Sequence, residues 1–270
     1  MKFSNIYMLL LAVLFIGCSE SDDSGSNNDG GGNSFTLTLN DGSFWTYDVE
    51  NGANTTRDSL YISNDTLING RTYKKFKTKD NVASGFYSAS LRNNGLRLNN
   101  NELLLSGDLS LAGGVNLPVN FDLTLDDFKI FKNNATVGSQ LSVKSGIIQE
   151  NVNGFPITVN YNLKSFAGEN YESFTSPNGD SYSNVKSTII RLNVTITTVQ
   201  EIIPGFPINI TVLTPQDVIV STQYIASGIG VVHTNTDTSY SINTTIASEL
   251  GIPASGSQNQ KEFLDTYEIN

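Results

Sequence analysis

Apolar and polar residues alternate with period two along most of the chain after residue 34, and sustained helical spacing is almost absent. Phe35-Thr36-Leu37-Thr38-Leu39 alternates, then turns at Asn40-Asp41-Gly42 into Phe44-Trp45-Thr46-Tyr47-Asp48-Val49. Leu60-Tyr61-Ile62 and Tyr73-Lys74-Lys75-Phe76-Lys77 form a second pair, punctuated by Asn64-Asp65 and Asn69-Gly70. Ser88-Ala89-Ser90-Leu91-Arg92 and Leu96-Arg97-Leu98 flank Asn93-Asn94-Gly95, and Asn-Gly is a strong hairpin signal because both residues tolerate positive φ. These are antiparallel connections without βαβ spacing. The pattern predicts an all-β chain, one large antiparallel sheet curled as a half-barrel or open barrel, with few or no helices.

Three segments echo one another: 115–123, 153–161 and 204–212 each place a proline between apolar residues ahead of an alternating strand. Their unequal spacing excludes a solenoid and predicts three long hairpins with proline at a strand start. An alternative is that Leu117, Phe155 and Phe206 converge on an apolar tip. Gly228 and Gly230 predict a bulge or kink of the kind that bends a sheet into a corner.

The first 34 residues follow a different pattern. Lys2 precedes an unbroken apolar run from Ile6 to Ile16, followed by Gly17-Cys18. Eleven residues are too few to cross about 30 Å of hydrocarbon but suit the core of a secretion signal. A small residue before a lone cysteine resembles the lipobox of bacterial lipoproteins, which implies cleavage before Cys18 and acylation of that cysteine; the alternative is a plain secretory peptide. Residues 19–34 carry no apolar side chain and read as a flexible tether. The expected organisation is a signal at 1–17, a lipidated tether at 18–34 and a single β domain at 35–270. Glu20 and Asp22-Asp23 resemble the export signal of surface lipoproteins of Bacteroidetes. The resemblance implies an outer-membrane, cell-surface location, with a periplasm-facing anchor as the alternative.

Acidic residues outnumber basic ones 26 to 16, and the net charge is −10. That balance argues against nucleic acid and against electrostatic docking on an anionic membrane, leaving the lipid anchor as the membrane contact. Cys18 is the only cysteine, so no intrachain disulfide supports the fold. His233 is the only histidine, which excludes histidine-rich metal sites and reads as a polar residue beside a turn at 234–237. Ser183-Asn184-Val185-Lys186 matches Ser-x-x-Lys without a helix to align it. Asp126-Asp127 suit a turn better than acid–base chemistry, and Asp180 beside Asn178-Gly179 suits a turn better than calcium. Neither a cofactor, a metal nor catalysis is expected.

Gly42-x-x-Trp45-x-Tyr47, Tyr224-x-Ala226-x-Gly228-Ile229-Gly230-Val231-Val232 and Leu264-x-x-Tyr267 together resemble an uncharacterised group of Bacteroidetes-type outer-membrane lipoproteins. That group is similar to half-barrel lipoprotein carriers of the LolA/LppX kind. The resemblance implies a carrier for an apolar or amphiphilic ligand, and Trp45, Tyr47 and Tyr224 are the candidate lining residues, with Phe86, Tyr87, Phe166, Tyr171 and Phe174 as further aromatics. The alternative function is a surface accessory protein that binds glycan or another envelope protein. If Cys18 carries lipid, Cys18→Ser moves the expressed chain from the detergent phase to the aqueous phase in a Triton X-114 partition.

Overall fold

The alternating segments form one antiparallel sheet of twelve strands in the computed structural model, which describes residues 34–110, 122–203 and 205–270. The leader, Cys18, the tether up to residue 33 and most of the first proline segment lie outside the described residues. Six strands make a first meander: β1 (Phe44–Asn51), β2 (Asn54–Ile68), β3 (Arg71–Thr78), β4 (Gly95–Asn99), β5 (Glu102–Ser110) and β6 (Asp122–Lys132). Six more make a second: β7 (Gln140–Val152), β8 (Phe155–Thr175), β9 (Ser181–Ile203), β10 (Phe206–Ala226), β11 (Gly230–Ser241) and β12 (Ser255–Glu268). The sheet is a nearly closed barrel with one seam, and 71% strand against 7% helix settles the all-β class.

Closure is made by the first and last strands. β1 pairs with β12, with Tyr47 opposite Leu264 and Val49 opposite Glu262. The seam therefore falls between two consecutive strands, β6 and β7, which share no ladder. Unpaired edge carbonyls are costly to bury, and side chains of β8 and β9 answer them. Ser165 Oγ donates to Lys129 O at 2.5 Å, Thr188 Oγ1 to Ile130 O at 2.6 Å, and Lys186 Nζ to Asn133 O at 2.6 Å. Ser165 and Thr188 are fully buried.

Period-two alternation sorts the two faces. Trp45, Tyr47 and Val49 on β1, Leu60 and Ile62 on β2, and Leu264 on β12 point inward and are buried. Asn69-Gly70 and Asn153-Gly154 make two-residue turns with φ of 50° and 76°, and of 51° and 91°. The β7–β8 and β9–β10 hairpins match the second and third proline segments, with Pro156 and Pro207 each second in its strand. Phe155 is half-buried against the core while Phe206 is 67% exposed, and Leu117 lies outside the described residues.

Four expectations change. Ser88–Leu91 is not strand but part of a short helix, α1 (Phe86–Leu91), because acceptors from distant strands meet its amides. Residues 35–39 alternate as expected yet join no ladder; they form a strap across one mouth of the barrel. Ser227–Ile229 is a tight turn between β10 and β11, and the bulge lies just before it at Tyr224/Ile225. The polar run at 234–237 lies inside β11, which places His233 in mid-strand and buries it. A second helix, α2 (Thr244–Leu250), is capped by Asn243 and Gly251 and packs with Ile157, Ile196 and Val212. Phe35–Asn270 is one compact unit that contains all the strands and the core of the described residues.

Thr188→Val keeps the shape of the buried side chain and removes the donor to Ile130 O. Leaving that carbonyl unmet costs about 1–3 kcal/mol, so the melting temperature falls by several degrees (about 2–4 °C per kcal/mol for a chain of this size). Thr197→Val, on a half-buried outward position of the same strand, leaves it nearly unchanged in a thermal melt.

Candidate functional site

Helix α1 lies inside the barrel, and Phe86, Tyr87, Ser88, Ser90 and Leu91 are all buried. A helix brought indoors carries its unpaired N-terminal amides with it. Three strand side chains receive them. Asp58 of β2 accepts from Ser84 N at 2.9 Å and Gly85 N at 2.7 Å. Gln260 Oε1 of β12 accepts from Phe86 N at 2.7 Å. Glu262 accepts from Tyr87 N at 2.7 Å and Ser88 N at 3.3 Å, and also from the hydroxyls of Ser88 and Thr234. Gly85 sits so close to Glu262 that an added Cβ would lie 2.1 Å from its carboxylate oxygen.

Asp58 and Glu262 are 1% and 0% exposed. Among the described residues neither pairs with a lysine or arginine. Burial, joined by the nearby Asp58 charge, pushes the Glu262 carboxyl up to about 7 against the pull of the amide and hydroxyl donors. Paired carboxylates of this kind suggest acid–base chemistry when they face a cleft. Here their oxygens are turned onto the helix amides, and the arrangement is an anchor.

The anchored helix fills the barrel. The void it leaves, lined by Phe86, Leu105, Leu125, Phe128, Leu163 and Ile190, is about 30 Å³, room for about one water. Space of ligand size lies at the mouth instead. A groove of about 420 Å³ runs beside the strap, with Leu37, Leu39, Leu96 and Leu98 as apolar lining. Asp65, Thr72, Lys74 and Arg97 supply its polar wall. A second hollow of about 160 Å³ continues it past Phe35, Leu37, Leu98 and Phe131.

The wall charges are internally balanced. Lys74 Nζ lies 2.9 Å from Asp41 and 2.6 Å from Asp65, and these bonds raise its pKa. Arg97 grips Asp127 with two bonds of 2.7 and 2.6 Å, and Tyr73 OH adds a third at 2.6 Å. Arg97 holds the Asp127 carboxyl well below the usual carboxylate range. Asp127 stands at a β6 irregularity with φ of 49° rather than in a turn, with its N–H donated to Ser106 Oγ. A groove with an apolar floor and a neutralised rim suits an amphiphile better than a strongly charged ligand.

The three residues expected to line a ligand site are not brought together. Trp45 and Tyr47 are core: Trp45 Nε1 donates to Ile229 O at 2.7 Å and Tyr47 OH to Val231 O at 2.8 Å. Trp45 stacks on Phe76 and closes a void of about 30 Å³ beneath Leu37 and Leu39, so it forms the floor under the strap. Tyr224 lies on the other face, since it pairs with His233, which pairs with Phe263, while their neighbours Thr234 and Glu262 point inward. There Phe174, Tyr224, His233 and Phe263 stack in sequence at centroid distances of 4.3, 5.4 and 4.8 Å. Tyr171 packs against the first two rings at 5.6 and 5.9 Å. His233 is structural: burial lowers its pKa, and Nδ1 lies 2.8 Å from Glu262 O.

Among the described residues, no group of three or more His, Cys, Asp or Glu is arranged to hold a metal ion. Asp180 sits in the β8–β9 turn, bonded to Asn178. Sequence reasoning missed Asp58, Gln260 and Glu262. The signal was present, because Gln260 and Glu262 share the inward register of Leu264. No protein-family profile, curated protein or solved structure matches the chain.

Glu262 makes stability depend on pH. Its folded pKa of about 7 stands above its ordinary 4.5, so the folded chain holds the proton more tightly than the unfolded chain. Its contribution is fullest below pH 4.5 and is lost as pH rises toward 7, by about 3 kcal/mol at ~1.4 kcal/mol per unit. His233, whose pKa is lowered, works in the opposite sense, losing stability as the pH falls. Urea unfolding of the wild type and Glu262→Gln between pH 4 and 8 separates the two: the difference between the curves carries the Glu262 slope alone.

Proposed function

We propose that the chain is a lipid-anchored, non-catalytic binding module of the cell envelope, and that it holds an amphiphilic ligand at the mouth of its barrel. The observation that carries this reading is the groove beside the strap. Its volume of about 420 Å³ falls in the ~300–1,000 Å³ range of small-molecule sites. Its leucine floor accepts an alkyl chain, and Asp65, Thr72, Lys74 and Arg97 offer a head group both donors and acceptors. An outer-membrane anchor at Cys18, displayed on the cell surface or facing the periplasm, would hold such a mouth close to lipid. The filled interior moves the ligand from the concave chamber of a half-barrel carrier to the rim.

Binding of glycan or of another envelope protein on a sheet face is the second reading, and the partly exposed ladder of Tyr171, Phe174 and Tyr224 is what favours it. It is the weaker of the two, because those rings already stack on one another and on buried His233 and Phe263.

The test is titration of residues 35–270 with a fluorescent single-chain fatty acid. Saturable binding is expected, and Leu98→Glu weakens it at least ten-fold. Leu98 is 44% exposed, so the variant stays folded. Ile147→Glu, 65% exposed on β7, leaves binding unchanged. Equal loss in both variants, or no saturable binding at all, sinks the reading.

A further inference from the structure

We propose that residues 35–39 are the resident occupant of the mouth groove, a tethered apolar segment that a single acyl chain displaces on binding. This rests on the groove being the ligand site.

The strap has the pattern of a strand without its bonds. Phe35, Leu37 and Leu39 pack against the core, while Thr36 and Thr38 face solvent. Alternate side chains on an extended backbone stand about 6.6 Å apart, so the three form an apolar rod about 13 Å long. No ladder holds it. Thr36 O accepts from Gly228 N at 2.8 Å, Thr36 N donates to Ser227 Oγ at 2.9 Å, and Asn133 Nδ2 reaches Phe35 O at 3.5 Å. At its start Phe35 rests on Phe131 at 5.3 Å, under Lys186 Nζ.

The strap also lies beside open space. Surface hollows of about 420 and 160 Å³ and a small void of about 30 Å³ adjoin this one segment, and each is lined by its residues. Beneath it lie Trp45, Phe76, Leu96, Leu103, Ile225 and Val231, an apolar floor that is buried under the strap and that an acyl chain could cover in its place. The floor gives a peptide one backbone donor, Gly228 N–H. An acyl chain has no amides to leave unpaired and loses nothing there. Because the strap continues directly into the N-terminal chain, its release would add five residues, about 17 Å of extended reach, to the tether. Ligand occupancy would thereby set how far the barrel stands from its anchor.

The experiment locks the strap in place. The hydroxyls of Thr36 and Ser227 lie 3.4 Å apart, and residues 35–270 contain no native cysteine. Thr36→Cys/Ser227→Cys in that compact unit therefore holds a single possible disulfide, whose formation intact mass confirms. With the fluorescent fatty acid as probe, the reduced variant is expected to bind at least as tightly as the parent. Oxidation should weaken binding at least ten-fold, and dithiothreitol should restore it. Equal affinity in both redox states overturns the displacement while leaving the groove reading intact. If the disulfide does not form, Leu39→Asn decides: displacement predicts tighter probe binding, because the competitor is weakened, whereas a strap that is merely a wall predicts weaker binding. Competition by a soluble peptide copy of residues 34–40 but not by palmitate would overturn the acyl assignment. Absence of probe binding in the parent and in a chain starting at Asn40 would remove the groove reading and this inference together.

Discussion

Eight strands enclose a space that inward side chains can fill, and twelve enclose more. The barrel meets that excess with α1, and a helix inside a protein must have its first amides satisfied or forfeit their hydration. Asp58, Gln260 and Glu262 supply the acceptors, from strands that are neighbours of β1 on either side. The interior arrangement depends on this contact. Without it the helix has no seat, the rings of Phe86 and Tyr87 leave the core, and a hollow opens in the middle of the sheet. The same contact explains why the barrel is filled and why the groove of ligand size lies at the rim.

The seam shows the same rule at the edge of the sheet. β6 and β7 carry no ladder, and hydroxyls of Ser165 and Thr188 serve the edge carbonyls of Lys129 and Ile130 instead. A side-chain bond holds two strands together without fixing the register between them. The barrel thus has eleven stiff joints and one compliant one, located beside the connection of residues 133–139 and within reach of the strap through Asn133 and Phe131.

The sheet was legible in the sequence because its signal is local. Alternation put Trp45 and Tyr47 on one face and Phe44 on the other, and Asn69-Gly70 marked a real two-residue turn. What failed was what depends on distant partners. Ser88–Leu91 has no helical period, and its conformation is set by acceptors at Asp58, Gln260 and Glu262, up to 175 positions away. The strap shows the converse: residues 35–39 have the pattern of a strand but find no neighbour to pair with. Alternation could place Trp45 and Tyr47 inward without saying whether the inside was lining or core, because that turned on a helix the pattern did not contain. His233 looked like a turn residue because its polar neighbours Thr234 and Thr236 are themselves buried inward-facing hydroxyls.

The pairing of β1 with β12 gives the barrel a temporal property. Phe44 meets Glu268 across a ladder that joins the first strand of the sheet to its last, and Glu262, which seats the helix, lies on that last strand. A chain emerging from its N-terminus can form the first meander and most of the second in turn, but it can neither close the sheet nor seat α1 until the fourteen residues of β12 arrive. Long-range closure of this kind is slow because the loop entropy is lost before the contacts are gained. The order of the strands therefore works as a clock, in which closure and the seating of α1 both wait for β12.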